Sequence, residues 1–214
     1  MLGIAGGDGS LGAVAQIAIE RDVPFVVVPF GTRNHFARDL GLKRNDPVGA
    51  LAAFSGTERR IDVARVGDRV FLNNVSLGLY AELVHRREGP RLRREAFAQL
   101  RALLLLAENP KGSGLSVDGT PVTARVALVA NNHYALELFS LGERQRLDEG
   151  RLHLYLAAGW RPSEWDERPY KRLVIDAADQ SVKAAVDGEP TSLETPVAFQ
   201  IEPRALRVLV PTPG

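Results

Sequence analysis

Gly6-Gly7-Asp8-Gly9-Ser10-Leu11-Gly12 separates a short apolar run at residues 2–5 from apolar residues at helical spacing. Between a strand and a helix, such glycines let the backbone approach a phosphate and turn its N–H groups toward it. The helix N-terminus adds a partial positive charge. Asp8 would repel a bare triphosphate, so its presence makes chemical sense with a magnesium ion between them. Taken alone, the cluster is equally well a plain tight turn. A second loop, Pro29-Phe30-Gly31-Thr32-Arg33-Asn34-His35-Phe36-Ala37-Arg38, follows the next apolar run. Both loops therefore leave the carboxyl ends of adjacent strands, where open α/β sheets bind ligands. Late in the chain, Val186-Asp187-Gly188-Glu189 sets two carboxylates on the turn after a strand. A carboxylate there could take the proton of an alcohol. The same residues also make an ordinary hairpin turn.

The elements that must hold these loops can be read from spacing. Leu11, Val14, Ala15, Ala18 and Ile19 predict a helix, and the continuous apolar run at residues 25–28 predicts a strand buried on both faces. Strand, glycine loop, helix and strand make a βαβ unit. Asp46-Pro47 and Gly56 bracket another helix at residues 47–55. Beyond Arg60 the pattern turns to strands. Residues 61–66 and 70–72 flank a Gly67-Asp68 turn, and residues 115–117 and 121–130 flank Asp118-Gly119. Further strands are predicted at 152–157, 173–176, 182–186, 197–201 and 206–210, with one helix at 92–108. The expected fold is a partial α/β nucleotide-binding domain over residues 1–57, followed by an antiparallel β-sandwich domain over 58–214.

Composition narrows the function classes. The chain has no cysteine, which excludes disulfides, Cys-ligated zinc and thiol catalysis and favours an intracellular, cytoplasmic location. A formal net charge of +1 gives no global drive toward nucleic acid or membranes, so an anionic partner must be met by a local patch. Arg86, Arg87, Arg91, Arg93 and Arg94 form such a patch before the leucine-rich residues 103–106. This run could bring the protein to a membrane surface, or it could be a solvated helix face. His35, His85, His133 and His153 are scattered without metal-ligand spacing.

The two glycine loops resemble the GGDGT and PxGTxNxFAR motifs of the diacylglycerol kinase catalytic family, which includes sphingosine and ceramide kinases. Asn73-Asn74-Val75-Ser76-Leu77-Gly78 resembles the family's next signature, and Val186-Asp187-Gly188-Glu189 its acidic catalytic motif. The resemblance implies a magnesium-dependent kinase moving phosphate from ATP to a lipid hydroxyl, most simply that of diacylglycerol. Gly6, Gly7, Asp8, Gly9, Ser10, Leu11, Gly12 and Thr32 would line the nucleotide phosphates, with Asp8 acting through magnesium. Glu189 would be the general base, and Asp187 would orient it or hold a magnesium-bound water. Around Arg146, Glu149 and Arg151 the chain is similar to a segment where some bacterial members hold a structural magnesium through backbone carbonyls and an aspartate; here a glutamate, Glu149, stands in the aspartate's place. Ser10 replaces the usual threonine and keeps its hydroxyl.

The family's earlier strands and its Asn-Pro-type nucleotide motif have no counterpart before Leu2, so a truncated nucleotide half is expected. A single βαβ unit covers a parallel sheet thinly, so an upstream segment or a second copy in a homodimer is expected on the open face. Two other functions are carried forward. One is a catalytically incomplete lipid-binding or dimerisation module, and the other is NAD kinase-like phosphorylation of a soluble acceptor.

Overall fold

Leu2–Gly6 (β1) and Phe25–Pro29 (β2) pair in parallel, Leu2 beside Phe25 and Gly6 beside Pro29, with Asp8–Glu20 (α1) as the crossover. Parallel neighbours need such a connection. Helix α1 buries Leu11, Ala15 and Ala18, and all five residues of β2 are buried, as the continuous apolar run predicts. The computed structural model describes residues 1–78, 114–124, 126–137, 140–141, 143–157 and 165–212. The basic run at Arg86, Arg87, Arg91, Arg93 and Arg94, the predicted helix at 92–108 and the leucines at 103–106 lie outside the described residues.

After β2 come a short helix, His35–Asp39 (α2), and a 3-10 helix, Gly49–Ser55. Asp46 opens the latter, its Oδ1 accepting the Gly49 N–H at 2.7 Å, as the Asp-Pro pair predicts. The remaining elements are strands: Thr57–Val66 (β3), Arg69–Phe71 (β4), Asn74–Gly78 (β5), Leu115–Val117 (β6), Thr120–Pro121 (β7), Val126–Asn131 (β8), Leu136–Glu137 (β9), Ser140–Leu141 (β10), Leu152–Ala157 (β11), Trp165–Tyr170 (β12), Arg172–Ala177 (β13), Ser181–Val186 (β14), Glu189–Glu194 (β15) and Val197–Val210 (β16). Among the described residues, no helix is long and apolar enough to cross a membrane.

Two sheets carry the architecture. One runs β12-β11-β8-β5-β14-β15 and is antiparallel throughout. The other runs β1-β2-β16-β13-β6-β7, with β3 beside β16 and β4 beside β3. The antiparallel part of this second sheet packs on the first as a sandwich, its core including Phe71, Val129, Leu154, Ile175 and Phe199. Phe71 and Phe199 meet edge to face at 6.4 Å, and full burial of each such ring contributes roughly 1.5–3 kcal/mol. A second core joins α1, β2 and α2 to Ile61, Val63, Leu206 and Val208. The architecture is an α/β unit followed by a β-sandwich.

Strand β16 binds the two parts together. Its first half pairs with β13, while Val208 lies parallel to Phe25 of β2. The two strands expected at 197–201 and 206–210 are thus one, bent where the register with β3 shifts between Glu202 and Leu206 and Arg204 takes a φ of 54°. A bulge keeps the ladder going where alternation in the sequence breaks. The single strand expected at 121–130 is in fact two, β7 and β8, which lie in different sheets. Pro121 closes the β6–β7 hairpin, after which the chain crosses to pair with β5 and β11.

Candidate active site

The loops after β1 and β2 lie backbone against backbone. A methyl group on Gly31 would overlap the Cα of Gly7, so position 31 requires glycine for the approach itself, and one on Gly7 would come within 3.1 Å of the Gly31 Cα. Ser10 turns its hydroxyl inward, donating to the Gly7 carbonyl at 2.9 Å, and so fixes the first loop. Asn34 frames the second. It takes a φ of 49°, accepts the Gly31 N–H at 2.9 Å and donates to the carbonyls of Gly31 and Arg44 at 3.0 and 2.9 Å. Asparagine tolerates this left-handed backbone better than most residues. Thr32, between these fixed points, is exposed.

Asp8 ties the two loops together. Its Oδ2 accepts the His35 N–H at 3.1 Å and its Oδ1 the Phe36 N–H at 3.0 Å, capping α2 from a different element. A third donor, Asn73 Nδ2, reaches Asp8 Oδ1 at 3.2 Å. Burial lowers the pKa of the His35 imidazole, although the Asp8 charge works the other way.

Asn73 also opens the path to the late acidic turn. The backbone N–H groups of Leu72, Asn73 and Asn74 all donate to the Asp187 carboxylate, at 2.9, 2.7 and 3.1 Å. Asp187 and Gly188 have φ of 49° and 85°, and Val186 pairs with Glu189. Positive φ at both central residues marks a type I′ two-residue hairpin. The acidic motif is therefore a hairpin turn as well as a carboxylate site, and the turn geometry separates its two acids. Asp187 is buried against the three N–H groups. Glu189 is exposed at the start of β15, and its carboxylate rests over the Cα of Gly9, where any side chain on residue 9 would collide with it. Among the described residues its carboxylate has no hydrogen-bond or ion-pair partner.

Burial raises the Asp187 carboxyl to about 6, against the pull of the Leu72 and Asn73 N–H bonds and with the Asp8 charge adding to the rise. Burial prevails although three donors favour the anion. Beside these acids lies a small cleft lined by Gly9, Gly12, Gln16, Arg69 and Asp187. Gly12 allows α1 to pack on β4, since a Cβ there would come within 3.1 Å of the Val70 carbonyl.

Residues 1–12, 29–38, 72–74 and 187–189 are thus brought to one place. The Arg146, Glu149 and Arg151 loop is different. Glu149 Oε2 accepts the His133 N–H at 3.0 Å and faces His153 Nε2 at 3.4 Å, while the Arg151 carbonyl accepts the Asn132 N–H at 3.0 Å. The Arg146 side chain pairs with Asp148. The longer glutamate side chain thus reaches partners within the protein. The described residues contain no cluster of three His, Cys, Asp or Glu arranged to hold a metal.

Two residues central to this region have no signal in the sequence. Asp62 sits mid-strand in an alternating run, yet it is buried and accepts the N–H groups of Gly150 and Arg204 at 2.6 and 2.8 Å. Arg144 stands in the charged stretch Glu143-Arg144-Gln145-Arg146, yet it alone of the four is buried.

The diacylglycerol kinase catalytic domain profile matches residues 1–66, which include both glycine loops. Over 84 residues the chain is 34% identical to the diacylglycerol kinase of Bacillus subtilis, a match covering 38% of this chain and 28% of that protein. A Staphylococcus epidermidis protein whose name places it among lipid kinases is 25% identical over 99% of this chain and 77% of its own length. A Bacillus anthracis diacylglycerol kinase crystal structure shares the fold with a TM-score of 0.66 at 17% identity, covering 97% of this chain and 75% of its own. The matched segment holds both glycine loops and is similar to the diacylglycerol kinase catalytic domain, and 97% of the chain follows the fold of that structure.

Proposed function

We propose that this chain moves the γ-phosphate of ATP to a lipid hydroxyl, with diacylglycerol the first acceptor to test and Glu189 as general base. The observation carrying this reading is the seat of the Glu189 carboxylate over Gly9, inside the loop that would cradle phosphates. An alcohol oxygen is a weak nucleophile until a nearby carboxylate accepts its proton. Glu189 would take that proton as the oxygen attacks the γ-phosphorus. ADP leaves, the product is a phosphate monoester, and the proton stays on Glu189 until solvent removes it.

The loops supply positioning, on which phosphoryl transfer chiefly depends. Gly6, Gly7, Gly9, Ser10, Leu11, Gly12 and Thr32 would follow the phosphates, with Gly7 and Gly31 too close for side chains to intrude. A magnesium ion arriving with ATP fits the acids present. Of the roughly four acceptor positions on a carboxylate, Asp8 and Asp187 each use three on N–H donors and keep one free. Such an ion would neutralise phosphate charge. Diacylglycerol is favoured by the name of the Bacillus subtilis relative.

The test is transfer of labelled γ-phosphate from ATP to a panel of lipid alcohols in mixed micelles, with NAD as the soluble alternative. Label in lipid and none in NAD is the expected result; no lipid labelled by a protein that binds Mg·ATP would overturn the reading. The rate should rise with pH through about 6, where Asp187 ionises and can accept its three N–H bonds. Stability should run the other way. Because the folded pKa lies above the unfolded 3.8, this group's stabilising contribution is complete below about pH 4 and is lost as pH rises through about 6. A pH–rate profile beside pH-dependent thermal unfolding checks both signs.

A further inference from the structure

Arg144 is fully buried at its side chain, and so is its partner Asp39, with Nε to Oδ2 at 2.7 Å. Its remaining donors reach three points. Nη1 donates to the carbonyls of Leu72 at 2.6 Å and Asn131 at 3.0 Å, and Nη2 donates to Asn73 Oδ1 at 2.9 Å. The guanidinium also lies over the Tyr134 ring, 5.1 Å from its centroid. One planar group thus touches α2, the Leu72–Asn73 turn and the end of β8.

The bond to Asn73 has a direct consequence. An amide whose oxygen is claimed by Arg144 must turn its Nδ2 the other way, and that nitrogen reaches Asp8 Oδ1. The bond to the Leu72 carbonyl holds the same peptide segment whose N–H groups at Leu72, Asn73 and Asn74 grip Asp187. A buried ion pair is a weak source of stability, since desolvation offsets most of the attraction. Orientation accounts better for an arginine here, because its rigid fork serves four acceptors at once and a lysine ammonium cannot.

We propose that Arg144 is a positioning residue of the phosphotransfer site, acting through Asn73 to set the placement of Asp8 and Asp187 relative to Glu189. The proposal rests on the phosphotransfer reading for its kinetic arm and on geometry alone for its spectroscopic arm.

The test uses the full chain with Arg144→Lys, Asn73→Ala and the double variant. Misplacing reacting groups by about 1 Å lowers turnover about 100-fold. Arg144→Lys and Asn73→Ala should each lower kcat about 10- to 100-fold with a much smaller change in KM for ATP. The double variant should be no worse than either single one, because the two residues act in series. Additive losses, or a lower melting temperature with kcat intact, would overturn the proposal. In parallel, the Asn73 side-chain NH2 resonances should shift and exchange faster in Arg144→Lys; unchanged resonances also overturn it. If wild type transfers no phosphate, the kinase reading fails and the Asn73 resonances alone decide the role of Arg144. If Arg144→Lys does not fold, the pair Arg144→Gln with Asp39→Asn removes both buried charges together and replaces it in every measurement.

Discussion

Glu189→Ala should lower phosphate transfer by about three orders of magnitude, and Gly9→Ala should come close to that with Glu189 still present. The two changes act on one contact from opposite sides. Glu189 is exposed and has no hydrogen-bond or ion-pair partner to lose among the described residues, so its truncation should leave the melting temperature where it was. Gly9 lies in the first turn of α1, where alanine is a better helix former by about 1 kcal/mol. A methyl there would strike the Glu189 Oε1, Cγ and Cδ atoms, the movable end of a flexible side chain. The backbone keeps its place and the carboxylate swings away. Gly9→Ala should therefore be as stable as wild type or slightly more so, and nearly inactive. Label transfer and thermal unfolding on the same preparations separate the two effects. A fully active Gly9→Ala protein would mean that Glu189 does not act from where it rests.

The contrast between Asp187 and Glu189 shows what the sequence could convey and where it stopped. Two acids two residues apart, after an apolar strand, are visible as a motif. Which acid is buried is not, because it depends on positive φ at Asp187 and Gly188 and on three N–H groups more than a hundred residues earlier. The glycine loops were legible for a local reason: close backbone approach needs residues without side chains, and glycines declare themselves. Strand β2 was legible because both faces are covered and its apolar run is continuous, and β11 because leucines recur at every second position. Strand β12, Trp165–Tyr170, was not. It is an edge strand with four exposed central residues, and it pairs with β11 through backbone groups that carry no sequence signature.

Arg144 and Asp62 were hidden for a related reason. Charged residues are seldom fully buried, so their types point to solvent. Each is buried here because backbone groups from distant segments converge on it. The same logic applies to the loop at Arg146, Glu149 and Arg151. Motif matching gives the order of these residues, but only tertiary contacts show that Glu149 accepts from the His133 N–H and the Arg151 carbonyl from the Asn132 N–H.

Asp62→Ala should be among the most destabilising single changes in the described chain, by about 3 kcal/mol or more. The side chain is buried, with Oδ2 on the Gly150 N–H at 2.6 Å and Oδ1 on the Arg204 N–H at 2.8 Å. Its own backbone is engaged as well, N–H to the Leu147 carbonyl at 2.7 Å and carbonyl from Asn131 Nδ2 at 3.2 Å. Alanine leaves that backbone in place and strands two N–H donors, each in a partly buried site. The Arg204 donor lies at the bulge of β16, the strand on which both cores depend, so loss there loosens the join between the α/β unit and the sandwich. For a chain of this length about 1 kcal/mol corresponds to about 2–4 °C, so the melting temperature should fall by roughly 10 °C. Asp62→Asn keeps one acceptor oxygen and turns an NH2 toward the other donor, so its loss should be smaller than that of alanine but still measurable. Phosphate transfer per folded molecule should hold, because the side chain of Asp62 touches neither glycine loop nor Asp187. This is the inverse of Gly9→Ala, which spares the fold and stops the chemistry. An Asp62→Ala protein melting with wild type would mean that Gly150 and Arg204 find other acceptors, and that the bulge in β16 holds its shape without the carboxylate beneath it.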